Sequence, residues 1–202
     1  MPSGFTRFYH MVKKVMVPPE ISLPAYDQPP INFPVVSLEK TQLFNQLKLN
    51  PSPRFKGGES AAIAHLNDYI WTTKSVSHYK KTRNDSLGTH ASTHCSPWLA
   101  NGSLSARSIA RSVHEYEHKH GKTDSTKWVI YELIWRDFFH FHCHLHRTKW
   151  FRNRGLGDTA LSPTNHINLF NQWATANTPS EFINAHMTEL IQTGFMSNRG
   201  RQ

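Results

Sequence analysis

Hydrophobic residues recur every three or four positions from about residue 57 onward, and this spacing predicts amphipathic helices. The first helix is expected over residues 59–73. The second is expected to begin at Ser103 or Ser105 and to end at Gly121. No stretch alternates polar and apolar residues over a useful length, so the pattern predicts an all-α fold.

Two further helices follow in the second half of the chain. Ser125 is expected to cap a long helix that runs to about Phe141. Thr178 and Glu181 have the spacing of a capping box, which predicts that the last helix starts there. Gly194 is expected to end that helix, because glycine adopts the left-handed conformation common after a helix.

The N-terminal quarter of the chain has a different character. Prolines interrupt every periodic pattern between residues 15 and 55. We therefore expect a Pro-rich linker or draped segment over residues 1–55 and one helical domain over residues 56–202. A domain of that length can bury a substantial core.

The composition favours an anionic partner. The 202 residues include 23 Lys and Arg against 14 Asp and Glu, a formal net charge of +9. Such an excess is typical of proteins that bind nucleic acid or a phosphorylated cofactor, although a merely basic surface is an alternative. Two cysteines are too few for a disulfide framework, and no apolar stretch is long enough for a membrane span. A cytoplasmic location is therefore expected.

The predicted long helix contains an embedded charged pair. Glu132 and Arg136 lie four residues apart and share a helix face with aromatic neighbours, among them Trp128 and Trp135. Charges within aromatic surface have to be paired or hydrogen-bonded. The run could be a structural ion pair under an aromatic cap, or the wall of a ligand pocket.

Two other polar segments suggest ligand contacts. Ser92, Thr93 and Ser96 lie ahead of a predicted helix, where hydroxyl and backbone N–H groups can surround phosphate, although an ordinary turn is the alternative. The run from Asn198 to Gln202 joins amide and guanidinium groups, which bind anions and polar edges. A frayed basic tail is the alternative there.

These segments together resemble the FAD-binding domain of the photolyase/cryptochrome family, and the DASH cryptochromes are most similar. The resemblance covers about residues 55–202 and touches residues 5–9. It implies flavin contacts from Tyr79, Ser92, Thr93, Ser96, Glu132, Arg136, Asn198 and Arg201. It implies substrate or DNA contacts from Glu132, Trp135, Arg199 and Gln202.

The resemblance also implies a function. In the family, FAD and blue light drive the repair of cyclobutane pyrimidine dimers, mainly in single-stranded DNA for the DASH group, or serve photoreception. The flavin performs the redox step, so no catalytic side chain is expected. A non-catalytic basic helical module that binds DNA or another chain without stable flavin is the alternative, and enzymatic activity is left open.

The sequence departs from the family in content and extent. His94 stands where the family usually has a basic residue, Ala91 where it has an aromatic one, and Cys95 where it has an apolar one. The family's N-terminal antenna domain and the C-terminal part of its flavin pocket have no counterpart. We therefore expect a truncated, partial FAD-binding domain with weak or absent flavin binding and with exposed apolar faces that favour oligomers.

Histidines recur at the end of the long predicted helix. His140 and His144 form one i,i+4 pair, and His142 and His146 form another. This spacing suits a zinc site, but the two pairs point to different sides. No metal site is predicted, and these histidines are expected to be solvated.

Overall fold

The computed structural model describes residues 2–14, 54–159 and 166–201. The expected Pro-rich segment lies mostly outside these residues, as does Gln202. Within them the chain forms eight α-helices and no strand, which confirms the all-α prediction. The helices are α1 Phe5–Lys13, α2 Glu59–Asn67, α3 Tyr79–Thr82, α4 Ser96–Asn101, α5 Ala106–His120, α6 Asp124–His146, α7 Ile167–Ala174 and α8 Glu181–Thr193.

The long helix α6 starts earlier and ends later than predicted. Its N-cap is Thr123, whose hydroxyl accepts a hydrogen bond from the N–H of Thr126. In turn, the Thr126 hydroxyl accepts a hydrogen bond from the N–H of Thr123. Ser125 was therefore the wrong cap. It lies buried in the first turn, where its hydroxyl accepts from the backbone N–H of Lys80 at 3.2 Å and ties α6 to α3.

Three of the other predicted helix ends are confirmed, and one is wrong. Ser105 caps α5 by accepting from the N–H of Ser108, and Gly121 and Gly194 end α5 and α8 with φ of 88° and 70°. Ser180, not Thr178, caps α8. The hydroxyl of Thr178 donates to the side chain of Asn184 at 2.8 Å and accepts from the Ser180 N–H at 3.2 Å, so it holds the turn that precedes the helix.

The first predicted helix is present with a local change of winding. Helix α2 continues into a π-helical turn over Asp68–Thr72, so together they cover nearly the whole predicted stretch. After the π-helical turn and a short 3-10 turn, Tyr79 begins the single turn α3. That turn places Tyr79 in the core, with its ring buried.

Helix α6 lies between two cores. The larger core joins α2 to α6 and includes Tyr69, Ile70, Trp98, Val113 and Val129. The smaller core lies where α1 packs on α6 and consists of Phe5, Phe8, Ile134 and Phe138. One side of α6 therefore contacts the bundle, while another holds the N-terminal helix.

Helices α7 and α8 leave apolar side chains open to solvent. Large hydrophobic residues there are 39–59% exposed, namely Ile167, Leu169, Phe170, Trp173, Phe182, Ile183 and Ile191. This agrees with the expectation of exposed apolar faces. Within the described ranges, no helix is both long and apolar enough to cross a membrane.

Candidate functional site

A cavity of about 220 Å³ opens between α3, the segment before α4, α6 and the segment after α8. Its floor is apolar and includes Leu99, Ile109 and Val129. The side chains that the sequence assigned to a flavin all line it: Tyr79, Ser92, Thr93, Ser96, Glu132, Arg136, Asn198 and Arg201. The fold therefore brings together residues that are up to 122 positions apart (201 − 79) in the chain.

The hydroxyl-rich wall is held by hydrogen bonds to its backbone. The Thr82 hydroxyl donates to the Ala91 carbonyl at 2.7 Å, and the His65 ring contacts the Thr93 carbonyl at 2.8 Å. The hydroxyls of Ser92 and Ser96 have no hydrogen-bond partner among the described residues. They are thus available as donors to an anionic group in the cavity.

Tyr79 contributes a neutral phenol. Burial and, to a smaller extent, the nearby Glu132 carboxylate raise its pKa to about 12, against the opposing effect of the Arg83 guanidinium. The phenol therefore keeps its proton at neutral pH. Its hydroxyl can donate a hydrogen bond within the cavity without adding negative charge.

Glu132 is paired across helices rather than within its own. Its Oε1 accepts from the guanidinium of Arg83 and from the Trp128 indole N–H, the latter at 3.1 Å. Arg136 instead donates to Asp137 at 3.2 Å, so the anticipated Glu132–Arg136 ion pair is absent. Arg83 also lines the cavity, a role that sequence reasoning missed because its partner lies 49 residues away.

His94 does not supply a positive charge. Burial, together with the smaller effects of Arg54, His65, His90 and Arg201, lowers its pKa from 6.5 to about 4. Its backbone is left-handed, with φ of 49°, and its ring packs 5.0 Å from that of Phe195. The imidazole is therefore neutral at physiological pH.

Replacing His94 by asparagine is expected to flatten the acid sensitivity of folding. The unfolded state protonates His94 below about pH 6.5 and the folded state only below about pH 4, so the parent loses stability as pH falls between those values. After allowance for solvent screening, we expect the free energy of unfolding of the variant to fall by about 1–2 kcal/mol less than that of the parent between pH 7 and 4.5. Asparagine also tolerates positive φ.

Urea unfolding at both pH values measures this difference. His118→Asn, at an exposed position on α5, serves as the control. Equal acid losses in parent and His94→Asn would contradict the buried neutral imidazole.

Trp135 lies outside the cavity, against α1. One ring face stacks on Phe5, with centroids 3.5 Å apart and planes 7° from parallel, and Phe139 stacks at 5.5 Å and 25°. The face of the indole that stacks on Phe5 is therefore covered by protein. The contact of Trp135 with a substrate remains a prediction. Arg199 also lies outside the cavity lining.

The C-terminal cluster is held in place. The Asn198 side-chain N–H donates to the side chain of Asn84 at 3.1 Å, and the Gly200 N–H donates to the Ser197 hydroxyl at 3.2 Å. A Cβ at Gly200 would lie 2.2 Å from the buried ring of His186. This close approach requires glycine and brings Arg201 to the cavity, unlike a frayed tail.

The histidines at the end of α6 are not all solvated. His142 is only 8% exposed and packs against the rings of Phe138 and Trp150, which corrects the prediction for this side chain. His140 and His144 are exposed as expected. Within the part of the chain that the structure describes, no group of three or more His, Cys, Asp or Glu side chains could hold a metal ion.

Comparison with known proteins identifies related chains. The family profile described as the FAD binding domain of DNA photolyase matches residues 128–202. The cryptochrome DASH of Gloeobacter violaceus is 44% identical over 149 residues, which are 74% of this chain and 30% of that protein. The cryptochrome DASH of Synechocystis is 38% identical over 210 aligned positions, which cover 100% of this chain and 42% of that protein.

Solved structures show the same relationship. The crystal structure of the Synechocystis cryptochrome matches with a TM-score of 0.78 and 33% identity, covering 99% of this chain and 42% of that chain. A class III photolyase from Agrobacterium tumefaciens matches with a TM-score of 0.68 and 23% identity, which shows a shared fold. The chain thus spans between about 30% and 42% of the length of these curated relatives.

Proposed function

Because the chain belongs to the DASH-type cryptochrome/DNA photolyase family, we propose that its cavity is one wall of a flavin site. The observation that carries this proposal is the convergence of eight side chains, from Tyr79 to Arg201, on one cavity. No other cavity described in the structure contains more than one of them. The convergence joins four segments of the chain, so it does not follow from sequence proximity.

The lining residues fit the phosphate part of FAD. Free hydroxyls at Ser92 and Ser96, a neutral phenol at Tyr79 and the guanidinium of Arg201 are donors suited to phosphate oxygens. The cavity volume, about 220 Å³, is smaller than the roughly 300–1,000 Å³ typical of pockets for ligands of drug size. The wall therefore fits part of the dinucleotide and cannot enclose all of it.

In this proposal the residues of the chain bind and orient, and bound FAD supplies light-driven electron transfer. Tyr79 and the hydroxyls hold the phosphates, while Asn198 and Arg136 contact the rest of the flavin nucleotide. Glu132, with one oxygen directed to Arg83 and Trp128, retains a second oxygen for a polar edge of the substrate. The protein contributes no nucleophile or general acid.

The proposed substrate is DNA that carries pyrimidine dimers, preferentially single-stranded. Glu132, Trp135, Arg199 and Gln202 are the proposed contacts, and the net charge of +9 favours a polyanion. We also propose that the exposed apolar side chains of α7 and α8 mediate contacts between copies of this chain in solution.

A flavin titration tests the proposed function. We expect the 202-residue chain to bind FAD with a dissociation constant of about 10 µM or weaker, a binding free energy no stronger than about −7 kcal/mol. Quenching of flavin fluorescence measures the affinity, and Ser92→Ala with Ser96→Ala should weaken it. A tight yellow complex that survives desalting would contradict the incomplete wall.

Absence of any saturable binding would overturn the flavin site itself. If the same colourless protein then bound DNA, the basic non-catalytic module would be the better description. Ser103→Ala is a suitable control for the hydroxyl variants, because its side chain does not line the cavity.

A further inference from the structure

Arg54 is an unassigned cation at the cavity. Its guanidinium lies 4.1 Å from the ring centroid of Phe195, and its Nη1 donates to Glu189 Oε1 at 3.0 Å. The side chain lines the cavity together with Ser92 and His94. It is only 27% exposed, so ring and carboxylate fix its position.

Two other guanidiniums of the cavity are paired with carboxylates of the protein. Arg83 is paired with Glu132, and Arg136 is paired with Asp137. The imidazole of His94, where the resemblance places a basic residue, adds no charge at neutral pH. The guanidinium of Arg54 therefore joins that of Arg201 as a cation of this cavity that can meet an anion.

Its pairing with Glu189 leaves capacity for a second partner. A guanidinium has five N–H donors in a planar fork, and Glu189 uses one of them at Nη1. The carboxylate orients the fork and at the same time reduces its net attraction for an anion. The stacked Phe195 ring restricts it further, so little freedom is lost when an anion binds.

We propose that Arg54 binds the diphosphate of the ligand in this cavity, with Glu189 and Phe195 as positioning residues. This inference rests on the proposed flavin site and names a binding residue for it. It differs from a purely structural role in one respect. If the ion pair only holds the fold together, loss of either charge should weaken anion binding. If Arg54 binds the anion, loss of its charge should weaken binding, whereas loss of the Glu189 charge should strengthen it.

The experiment uses the full chain and inorganic pyrophosphate as the probe, followed by calorimetry, with FAD titrated in parallel. Arg54→Gln should weaken pyrophosphate binding by about tenfold, because a charge-assisted hydrogen bond is lost. Glu189→Gln retains a hydrogen-bond acceptor for the guanidinium and removes the negative charge. It should strengthen binding by about two- to fivefold at low salt.

Lys56→Gln is the matched control. It makes the same change of charge two residues away, at a side chain that lines the neighbouring outer groove and not the cavity. Its pyrophosphate affinity should change by less than about twofold, the difference expected from screened surface charge. Arg54→Lys keeps the charge, loses the fork and should be intermediate.

Thermal unfolding of every variant separates binding from folding. Arg54→Gln and Glu189→Gln lose the same ion pair and should be destabilised similarly, while their pyrophosphate affinities move apart. Weakened binding in both variants, or equal affinities of Arg54→Gln and Lys56→Gln, would overturn the inference and leave the flavin site intact. A parent chain that binds neither pyrophosphate nor FAD would overturn both.

Discussion

Replacement of Trp135 by alanine is expected to destabilise the protein by about 3 kcal/mol, at the lower end of the range for buried Trp→Ala changes because the side chain is only half-buried. The indole stacks with the rings of Phe5 and Phe139, and Phe138 meets it edge-on at 5.7 Å. Its removal leaves a void where α1 docks on α6. We expect a melting temperature lower by about 6–12 °C.

Urea and thermal unfolding measure the effect, with Trp173→Ala as the control. Trp173 is 45% exposed on α7, where truncation should change stability by no more than about 0.5 kcal/mol. Equal effects of the two substitutions would contradict the packing described for Trp135.

The same variant bears on the proposed substrate contact. If a base of damaged DNA stacks on Trp135, the alanine variant should lose its preference for dimer-containing over undamaged single strands. The loss should amount to about 1–3 kcal/mol of stacking. A parent chain without damage preference, combined with a strongly destabilised variant, would leave Trp135 with a structural role alone.

Removal of the Glu132 carboxylate is expected to have the second-largest effect, a destabilisation of about 2–3 kcal/mol for Glu132→Ala. Arg83, with a side chain only 21% exposed, would keep its charge without this partner, and Trp128 would lose its acceptor. The interaction joins α3 to α6, so its loss should loosen one wall of the cavity.

A double-mutant cycle with Arg83→Met isolates the ion pair. We expect a coupling energy of about 1–2 kcal/mol, and additive effects would contradict a direct interaction. The exposed pair of Arg136 and Asp137 offers the contrast, since Asp137→Ala should cost less than about 1 kcal/mol.

The elements of the fold followed from the sequence better than their boundaries did. Helical spacing and the glycines at 121 and 194 located α5 and the end of α8. Capping residues were less certain, because several hydroxyl side chains stand near each helix start. Thr123 caps α6 and Ser125 bonds to the neighbouring α3, a choice decided by tertiary contacts that no local pattern contains.

For the site, too, the sequence predicted which residues are involved better than it predicted their contacts. Resemblance indicated side chains that line the cavity, but it gave no information about how they are paired. Arg83 and Glu132 are 49 positions apart, and Arg54 and Glu189 are 135 apart. A single sequence cannot reveal such long-range partners, because charge and hydropathy patterns describe only local neighbours. The covering of Trp135 by Phe5 was hidden for the same reason, since 130 positions (135 − 5) separate them.

The stack between Phe5 and Trp135 also creates a thermodynamic linkage. A base that stacks on the same face of the indole and the docked α1 exclude each other, so the affinity measured for the base is reduced by the free energy that holds Phe5 in place. Linkage is reciprocal, and a bound base would weaken the docking of α1 by the same factor. Helix α1 would then compete with the base within the same molecule, and the free energy of its docking would set the affinity of Trp135 for the base.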